Sequence, residues 1–81
     1  MKNLKTNVSI KFTTIEEYRE IEKKLIELGY ENDKDWNEYM LGDFNNFKKL
    51  THVVDIYEDL EFTIHLNNQY NYNSLQEFLK D

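Results

Sequence analysis

The feature that most constrains the fold is a stretch of the chain, residues 14–30, whose apolar side chains recur every three or four positions. That spacing places them on one face of an α-helix. Thr14 followed by Glu17 forms a capping-box pattern at the start, and Gly29 suits the left-handed position that ends many helices. The apolar stripe consists of Ile15, Tyr18, Ile21, Leu25, Ile26 and Leu28. The pattern predicts an amphipathic helix that must bury this stripe against another element.

A strand is expected immediately before this helix, over residues 7–12. Val8, Ile10 and Phe12 alternate with polar residues, so one face of the strand is apolar and the other is wet. The connection between strand and helix is short. We therefore expect the helix to fold back over the apolar face of the sheet, where its own stripe can be buried.

Residues 50–57 and 61–66 have the alternation of a β-hairpin closed by the three-residue loop 58–60. A slip of one position would put apolar and polar side chains on the same face, so the pattern selects one register. That register pairs Ile56 with Phe62, Val54 with Ile64 and His52 with Leu66. The opposite, outer face then carries Val53, Asp55, Tyr57, Glu61, Thr63 and His65.

The segment between helix and hairpin, residues 31–43, fits two templates. Tyr39 and Leu41 have the alternation of a strand, which is the interpretation that we favour here. The alternative is a short helix that begins near Asp35, since Asp35 and Glu38 have the spacing of a capping box.

The last part of the chain is an Asn-rich loop, residues 67–73, followed by a short helical pattern. Ser74 and Glu77 form a third capping-box pattern, and the apolar face behind it consists of Leu75, Phe78 and Leu79. The sequence therefore predicts a single α+β domain, residues 1–81, with the order β-α-β-β-β-α. Its sheet is mainly antiparallel, with the helices packed on one face.

Composition excludes several classes of protein. The chain has 81 residues, a formal net charge of −6, a pI near 4.8 and no cysteine. Direct binding to nucleic acid needs a basic surface, and disulfides or thiolate zinc sites need cysteine. The sequence has neither a membrane-length apolar run nor the apolar region of a secretory signal. We expect a cytoplasmic protein that binds neither nucleic acid nor membrane directly.

Candidate catalytic and metal-binding patterns all fail on inspection. Asp33, Asp35 and Asn37 copy the first ligands of a calcium-binding EF-hand loop, but Glu38 occupies the position where the turn needs glycine. The histidines, His52 and His65, fall on opposite faces of the predicted hairpin. No nucleophile elbow or glycine-rich phosphate loop is present. We therefore expect no catalytic residue, no metal site and no cofactor, and the chain is not expected to be an enzyme.

The layout as a whole resembles that of small acidic α+β proteins encoded by phages and mobile elements, including anti-CRISPR-like inhibitors. The elements that carry the likeness are the first strand, the helix end at residues 25–30, Trp36, the hairpin, and the terminal pattern at residues 74–79. The abundance of Asn, Lys, Ile and Tyr, whose codons are AT-rich, also fits a low-GC bacterium or its phage. The resemblance implies a setting in which such proteins bind and block host defence machinery. It transfers no catalytic residue.

Two acidic stretches separated in sequence suggest where a partner would bind. One lies in residues 31–43 and the other around the hairpin turn, and aromatic residues accompany both. Negative charge steers association with basic partners, and aromatic residues are typical anchors of interfaces. The predicted partner-binding residues are Glu31, Asp33, Asp35, Trp36, Glu38, Asp43, Tyr57, Glu58, Asp59 and Glu61. An alternative is that some of the aromatic residues simply complete the core, Trp36 and Phe47 first among them.

These residues lead to a functional hypothesis. The chain would be a monomer or weak dimer that binds a host protein with a basic surface and inhibits it stoichiometrically, as a nucleic-acid mimic would. The alternative hypothesis is a structural or self-associating protein without an inhibitory role, whose outer sheet face or sheet edge pairs with another copy.

Overall fold

A computed structural model describes residues 4–81 of the chain. The elements are β1 (Val8–Phe12), α1 (Ile15–Leu28), β2 (Glu31–Asn32), α2 (Lys34–Gly42), a 3₁₀ helix (Phe44–Phe47), β3 (His52–Ile56), β4 (Glu61–Leu66) and α3 (Leu75–Lys80). The four strands form one sheet in the order β1-β3-β4-β2. Only β2 runs parallel to its neighbour. The predicted α+β class with a mainly antiparallel sheet is confirmed.

The first helix has the ends that the sequence predicts. The Glu17 amide donates to the Thr14 hydroxyl at 3.0 Å, and the Thr14 amide donates back to the Glu17 carboxylate at 3.2 Å, which completes the capping box. Gly29 has φ +107°, a left-handed conformation that glycine adopts without strain. The apolar stripe is narrower than predicted, because Ile26 is half exposed. Its side chain is turned by about 100° from that of the residue before it.

The hydrophobic core lies between α1, α3 and the inner face of the sheet. Strands β3 and β4 pair in the predicted register, with Val54 opposite Ile64. Tyr18, Ile21 and Leu25 of α1 are buried against this face. The buried core comprises Ile10, Phe12, Tyr18, Ile21, Leu25, Tyr30, Phe44, Val54, Ile56, Phe62, Ile64 and Phe78.

The outer face of the sheet is partly covered by other side chains and is not uniformly exposed to solvent. Val53 is fully buried there, and its neighbours across the two ladders are Lys11 and His65. The Lys11 ammonium lies 5.3 Å from the centre of the Tyr70 ring, which belongs to the long loop after β4. Long side chains on both flanks therefore shield a small apolar residue, which alternation alone does not predict.

Within the segment 31–43, the prediction of a strand at residues 36–41 is wrong, and the alternative prediction of a short helix is confirmed. Helix α2 covers Lys34–Gly42, preceded by the two-residue strand β2. Its start also differs from the prediction, because Asp33 and not Asp35 occupies the N-cap position. Within residues 4–81, the Asp33 side chain makes no capping hydrogen bond. The predicted element order therefore gains a helix between the second strand and the hairpin.

Helix α2 lies along β4 because its side chains form hydrogen bonds with backbone groups of β4 beyond the point where β2 ends. The fully buried Asn37 accepts a hydrogen bond from the Ile64 amide at 2.7 Å and donates one to the Phe62 carbonyl at 3.1 Å. The Trp36 indole N–H donates to the Ile64 carbonyl at 2.9 Å. These bonds satisfy backbone groups that a further strand would otherwise pair.

The other edge of the sheet, at β1, is covered by backbone from the Asn-rich loop. The amides of Asn71 and Tyr72 donate to the Ser9 carbonyl, and the Lys11 amide donates to the Tyr72 carbonyl at 2.8 Å. Tyr72 forms an isolated parallel bridge with Ile10. Strand edges that are covered in this way offer few free groups to another chain.

The last helix has the predicted cap and buries one of its predicted apolar residues. The Glu77 amide donates to the Ser74 hydroxyl at 3.2 Å, while the Glu77 carboxylate accepts from the Asn73 amide rather than from that of Ser74. Phe78 is buried and Leu79 is exposed. Every helix within residues 4–81 is too short or too polar to span a bilayer.

Candidate functional site

The short parallel pairing of β2 with β4 brings the two acidic stretches together. Glu31 lies opposite Glu61 in the register, and its amide donates to the Leu60 carbonyl at 2.9 Å. Asp33 follows, with its amide 3.4 Å from the Phe62 carbonyl. Residues about 30 positions apart in the sequence therefore form one group. We call Glu31, Asp33, Asp59 and Glu61 the acidic cluster.

The charge of the acidic cluster is concentrated enough to change its own ionisation. The pKa of Glu61 is raised above its ordinary value, first by partial desolvation and then by the negative charges of Asp33, Asp59 and Glu31. Glu58 adds an exposed residue with a further carboxylate at the hairpin turn next to Asp59. This end of the molecule therefore has a negative potential that a cationic partner would relieve.

An exposed group of rings lies beside the acidic cluster on the outer face. Trp36 lies between Tyr39 and His65, with ring centres 5.8 Å apart in both cases, and Tyr57 meets His65 edge-on at 6.4 Å. Trp36 and Tyr57 are each 39% exposed and Tyr39 is 62% exposed. We call Trp36, Tyr39, Tyr57 and His65 the outer aromatic cluster.

Hydrogen bonds hold three of these rings in place. The Tyr57 hydroxyl lies 2.9 Å from the His65 Nε2, and it accepts a hydrogen bond from the Thr63 hydroxyl at 3.1 Å. The Trp36 indole is fixed by its bond to the Ile64 carbonyl. Because these rings are already ordered, a partner that binds them loses little conformational freedom on their account.

The acidic and aromatic clusters form one continuous surface. Tyr57 lies directly across the hairpin from Glu61, and the Tyr57 amide donates to the Glu61 carbonyl at 2.9 Å. Alternate residues of a strand share a face, so Glu61, Thr63 and His65 follow one another along the outer face of β4. Carboxylates therefore border the rings at the hairpin end.

Two of the predicted partner-binding residues are separate from this surface. Glu38 forms a two-pronged ion pair with Arg19 at 2.7 and 3.1 Å, and Arg19 lowers the pKa of the Glu38 carboxyl. Asp43 follows α2 beside Phe44, at the end of the sheet where His52 lies. The other eight fall into one region: Glu31, Asp33, Asp35, Trp36, Tyr57, Glu58, Asp59 and Glu61.

Sequence reasoning missed members of the surface for two reasons. Thr63 and His65 share the outer face with Tyr57 in the predicted register, so alternation was sufficient to find them. Tyr39 is absent from the predicted set because the favoured interpretation places its segment in a strand, whereas it lies on α2. Trp36 and Phe47, which the alternative interpretation assigns to the core, are 39% and 44% exposed, and Phe44 is buried.

Two further features lie outside this surface, the buried His52 and a cavity at the far end of the hairpin. The two histidines lie on opposite faces as predicted, since His52 packs against Phe12 and Phe44 in the interior. Burial lowers the pKa of His52. Among residues 4–81, no three His, Asp or Glu side chains are grouped to hold a metal ion. A cavity of about 510 Å³ at the far end of the hairpin is lined by Leu50, Thr51, Leu66, Asn67, Asn68 and Gln69, none of which is ionisable.

Comparisons of this chain with protein-family models, with curated proteins and with solved structures give no match.

Proposed function

We propose that this chain is a small acidic protein-binding module of phage or mobile-element origin that acts in the host cytoplasm without catalysis. It binds a host defence or nucleic-acid-handling protein through a basic surface of that protein and inhibits it stoichiometrically. The observation that carries the proposal is the convergence of Glu31 and Asp33 with Asp59 and Glu61, next to exposed aromatic rings.

In the proposed mechanism the acidic cluster sets the rate of association and the outer aromatic cluster contributes the binding energy. The acidic cluster steers the encounter, because a concentrated negative potential raises the association rate with a basic protein. The outer aromatic cluster supplies buried contact area in the complex, because aromatic residues commonly dominate binding energy. A carboxylate surface that occupies a basic groove excludes nucleic acid from that groove, which is the sense in which the chain mimics nucleic acid.

The experiment is capture of the partner with matched baits. Glu31→Gln, Asp35→Asn and Glu58→Gln together neutralise three carboxylates that make no hydrogen bond or ion pair within residues 4–81. The control bait carries Glu16→Gln, Glu20→Gln and Glu27→Gln on the exposed side of α1, so the net charge changes equally. Both are compared with the unmodified protein in lysate of a low-GC bacterial host.

The expected result is a basic host protein that the unmodified and control baits retain and the site bait loses at moderate salt. Added in equimolar amount, the unmodified protein should then inhibit the purified host protein. Equal capture by all three baits, or loss by the control alone, would contradict the proposed site.

Of the two modes of self-association that the sequence suggested, pairing through a sheet edge is opposed by the structure. Backbone from the Asn-rich loop covers β1, and β2, Trp36 and Asn37 cover β4. Pairing of strand edges between two copies is therefore disfavoured. Sedimentation across a wide concentration range should give a monomer. A tight dimer that buries Trp36 and Tyr39 would instead favour the structural role.

A further inference from the structure

We infer that the outer face of the sheet recognises arginine side chains of its partner in preference to lysine, with the guanidinium seated on the outer aromatic cluster and held by the neighbouring carboxylates. This inference rests on the proposed function, because it names the chemistry of the partner at the same surface.

The first step is that exposed ring surface is available on the outer face of the sheet. Tyr39 exposes 62% of its surface, and the Trp36 ring packs against it at 5.8 Å. Within residues 4–81, the cations that lie over aromatic rings are Lys5, Lys11 and Arg19, and none of these rings belongs to the outer aromatic cluster. The rings of this cluster are therefore open to a cation from another molecule.

The second step is that carboxylates lie where a stacked cation needs them. Glu61 is opposite Tyr57 on the same face of the sheet, and Glu31 is beside Glu61. Asp35 precedes Tyr39 by four residues on α2, so the two are neighbours on the helix surface. The rings are thus bordered by carboxylates on both sides, which gives the surface a complementary charge for a cationic partner.

The third step distinguishes the two basic side chains. A guanidinium is planar and weakly hydrated, so it can stack on a ring while its N–H groups form paired hydrogen bonds with a carboxylate at the edge. An ammonium is a compact, strongly hydrated charge that gains the attraction without the stacking geometry. A surface with carboxylates alone would scarcely distinguish them. The combination of exposed rings and carboxylates favours arginine.

Two peptides of equal length and charge test this inference. Each carries six basic residues separated by glycine and serine, arginine in one and lysine in the other, and each is titrated into the whole protein with detection by calorimetry and amide NMR shifts. We expect the arginine peptide to bind about fivefold to tenfold more tightly. The shifts should centre on the Trp36 indole, Tyr39 and the outer residues of β4.

Variants at two exposed aromatic residues identify the source of the preference. Tyr39→Ala should bring the arginine-to-lysine ratio close to one, while Tyr39→Phe, which keeps the ring, should leave the ratio unchanged. The matched control is Phe47→Ala, because Phe47 is a comparably exposed ring outside the cluster. It should not change the ratio.

The outcomes separate the two proposals. Equal binding of both peptides, or a preference for arginine that survives Tyr39→Ala, overturns the arginine inference and leaves a general basic partner in place. Failure of both peptides to bind even at low salt overturns the inference together with the acidic binding surface on which it rests.

Discussion

Helices α1 and α2 contribute to the molecule in different ways. Helix α1 has a complete capping box, ends at a left-handed glycine and buries Tyr18, Ile21 and Leu25 in the core. Helix α2 has no side-chain cap within the described residues, and its one fully buried side chain is an asparagine. The first is held by apolar burial on the sheet, and the second by hydrogen bonds to the edge of β4, with Met40 and Leu41 packed against the core.

This difference separates stability from candidate function. The outer residues of α1 mix both charges, as in the contact of Lys24 with Glu27 at 3.9 Å. Helix α2 instead carries Trp36 and Tyr39 to the surface next to the acidic cluster. A helix that is attached through a few polar bonds keeps its apolar rings available for a partner.

The largest effect is expected from Asn37→Leu in α2. Asparagine and leucine have the same number of non-hydrogen side-chain atoms, but the variant leaves the buried Ile64 amide and the Asn32 side-chain oxygen without a partner. It also removes one of the two donors to the Phe62 carbonyl, which keeps the Asp33 amide. Each unsatisfied group costs about 1–3 kcal/mol, so the free energy of unfolding should fall by about 4 kcal/mol. Urea unfolding measures this, with Asn45→Leu in the exposed 3₁₀ helix as control. A neutral or stabilising effect would show that Asn37 is merely a space-filling residue.

Leu25→Ala tests the opposite mode of attachment in α1. Leu25 is fully buried, and its truncation removes apolar contact and leaves a cavity. The expected loss is about 3 kcal/mol in the same unfolding experiment. Ile26→Ala is the matched control, because Ile26 is half exposed and should lose well under half as much. Similar losses at both positions would contradict the narrow buried stripe.

The N-caps of the two helices should differ when each is removed. Thr14→Ala breaks the capping box of α1 and should cost about 1 kcal/mol of unfolding free energy. Asp33→Ala removes a side chain that makes no capping bond among residues 4–81 and relieves repulsion of Glu61. Its effect on thermal unfolding should be close to zero or slightly stabilising. A loss at Asp33 as large as that at Thr14 would mean that α2 depends on a cap after all.

The smallest effect concerns two glutamates whose carboxyl pKa values shift in opposite directions. The folded-state pKa of Glu61 is raised, so ionisation of Glu61 opposes folding as the pH rises through that pKa. Glu61→Gln should therefore raise Tm slightly at neutral pH and have no effect below the ordinary glutamate pKa. The folded-state pKa of Glu38 is lowered, so the stabilisation from Arg19 is lost as the pH falls through it.

Carboxyl NMR titration of the unmodified protein checks both directions. Glu61 should titrate above and Glu38 below the ordinary value of about 4.3. If Glu61 titrates at or below that value, the carboxylates are too far apart in solution to form the acidic cluster.

How much the sequence could predict depends on how local each interaction is. The capping box of α1 and the hairpin register follow from spacing within about 15 residues, and both are confirmed. The sequence favours a strand over helix α2 because Asn37 stabilises the helix through backbone groups of β4 some 25 residues later, beyond the reach of local spacing. No pattern of apolar residues encodes a side chain that takes the place of a strand.

The candidate site was predictable in its residues but not in its arrangement. The clustering of acidic and aromatic residues in the sequence was enough to predict Glu31, Trp36, Tyr57 and Glu61. Their assembly into one surface depends on the parallel pairing of the two-residue strand β2 with β4. Such a short strand has no periodicity to detect. The ion pair of Glu38 with Arg19, which separates Glu38 from the candidate site, is likewise a contact between two helices that sequence spacing does not show.

The most direct test of the central claim, that partner binding belongs to the surface beside α2 and not to α1, is the association rate with the captured host protein. The site variant (Glu31→Gln, Asp35→Asn, Glu58→Gln) and the α1 control (Glu16→Gln, Glu20→Gln, Glu27→Gln) have the same net charge. At low salt the site variant should associate about tenfold more slowly than the unmodified protein and depend less on salt, with the control within about twofold. Equal slowing of both variants would show that only net charge matters and would contradict the claim.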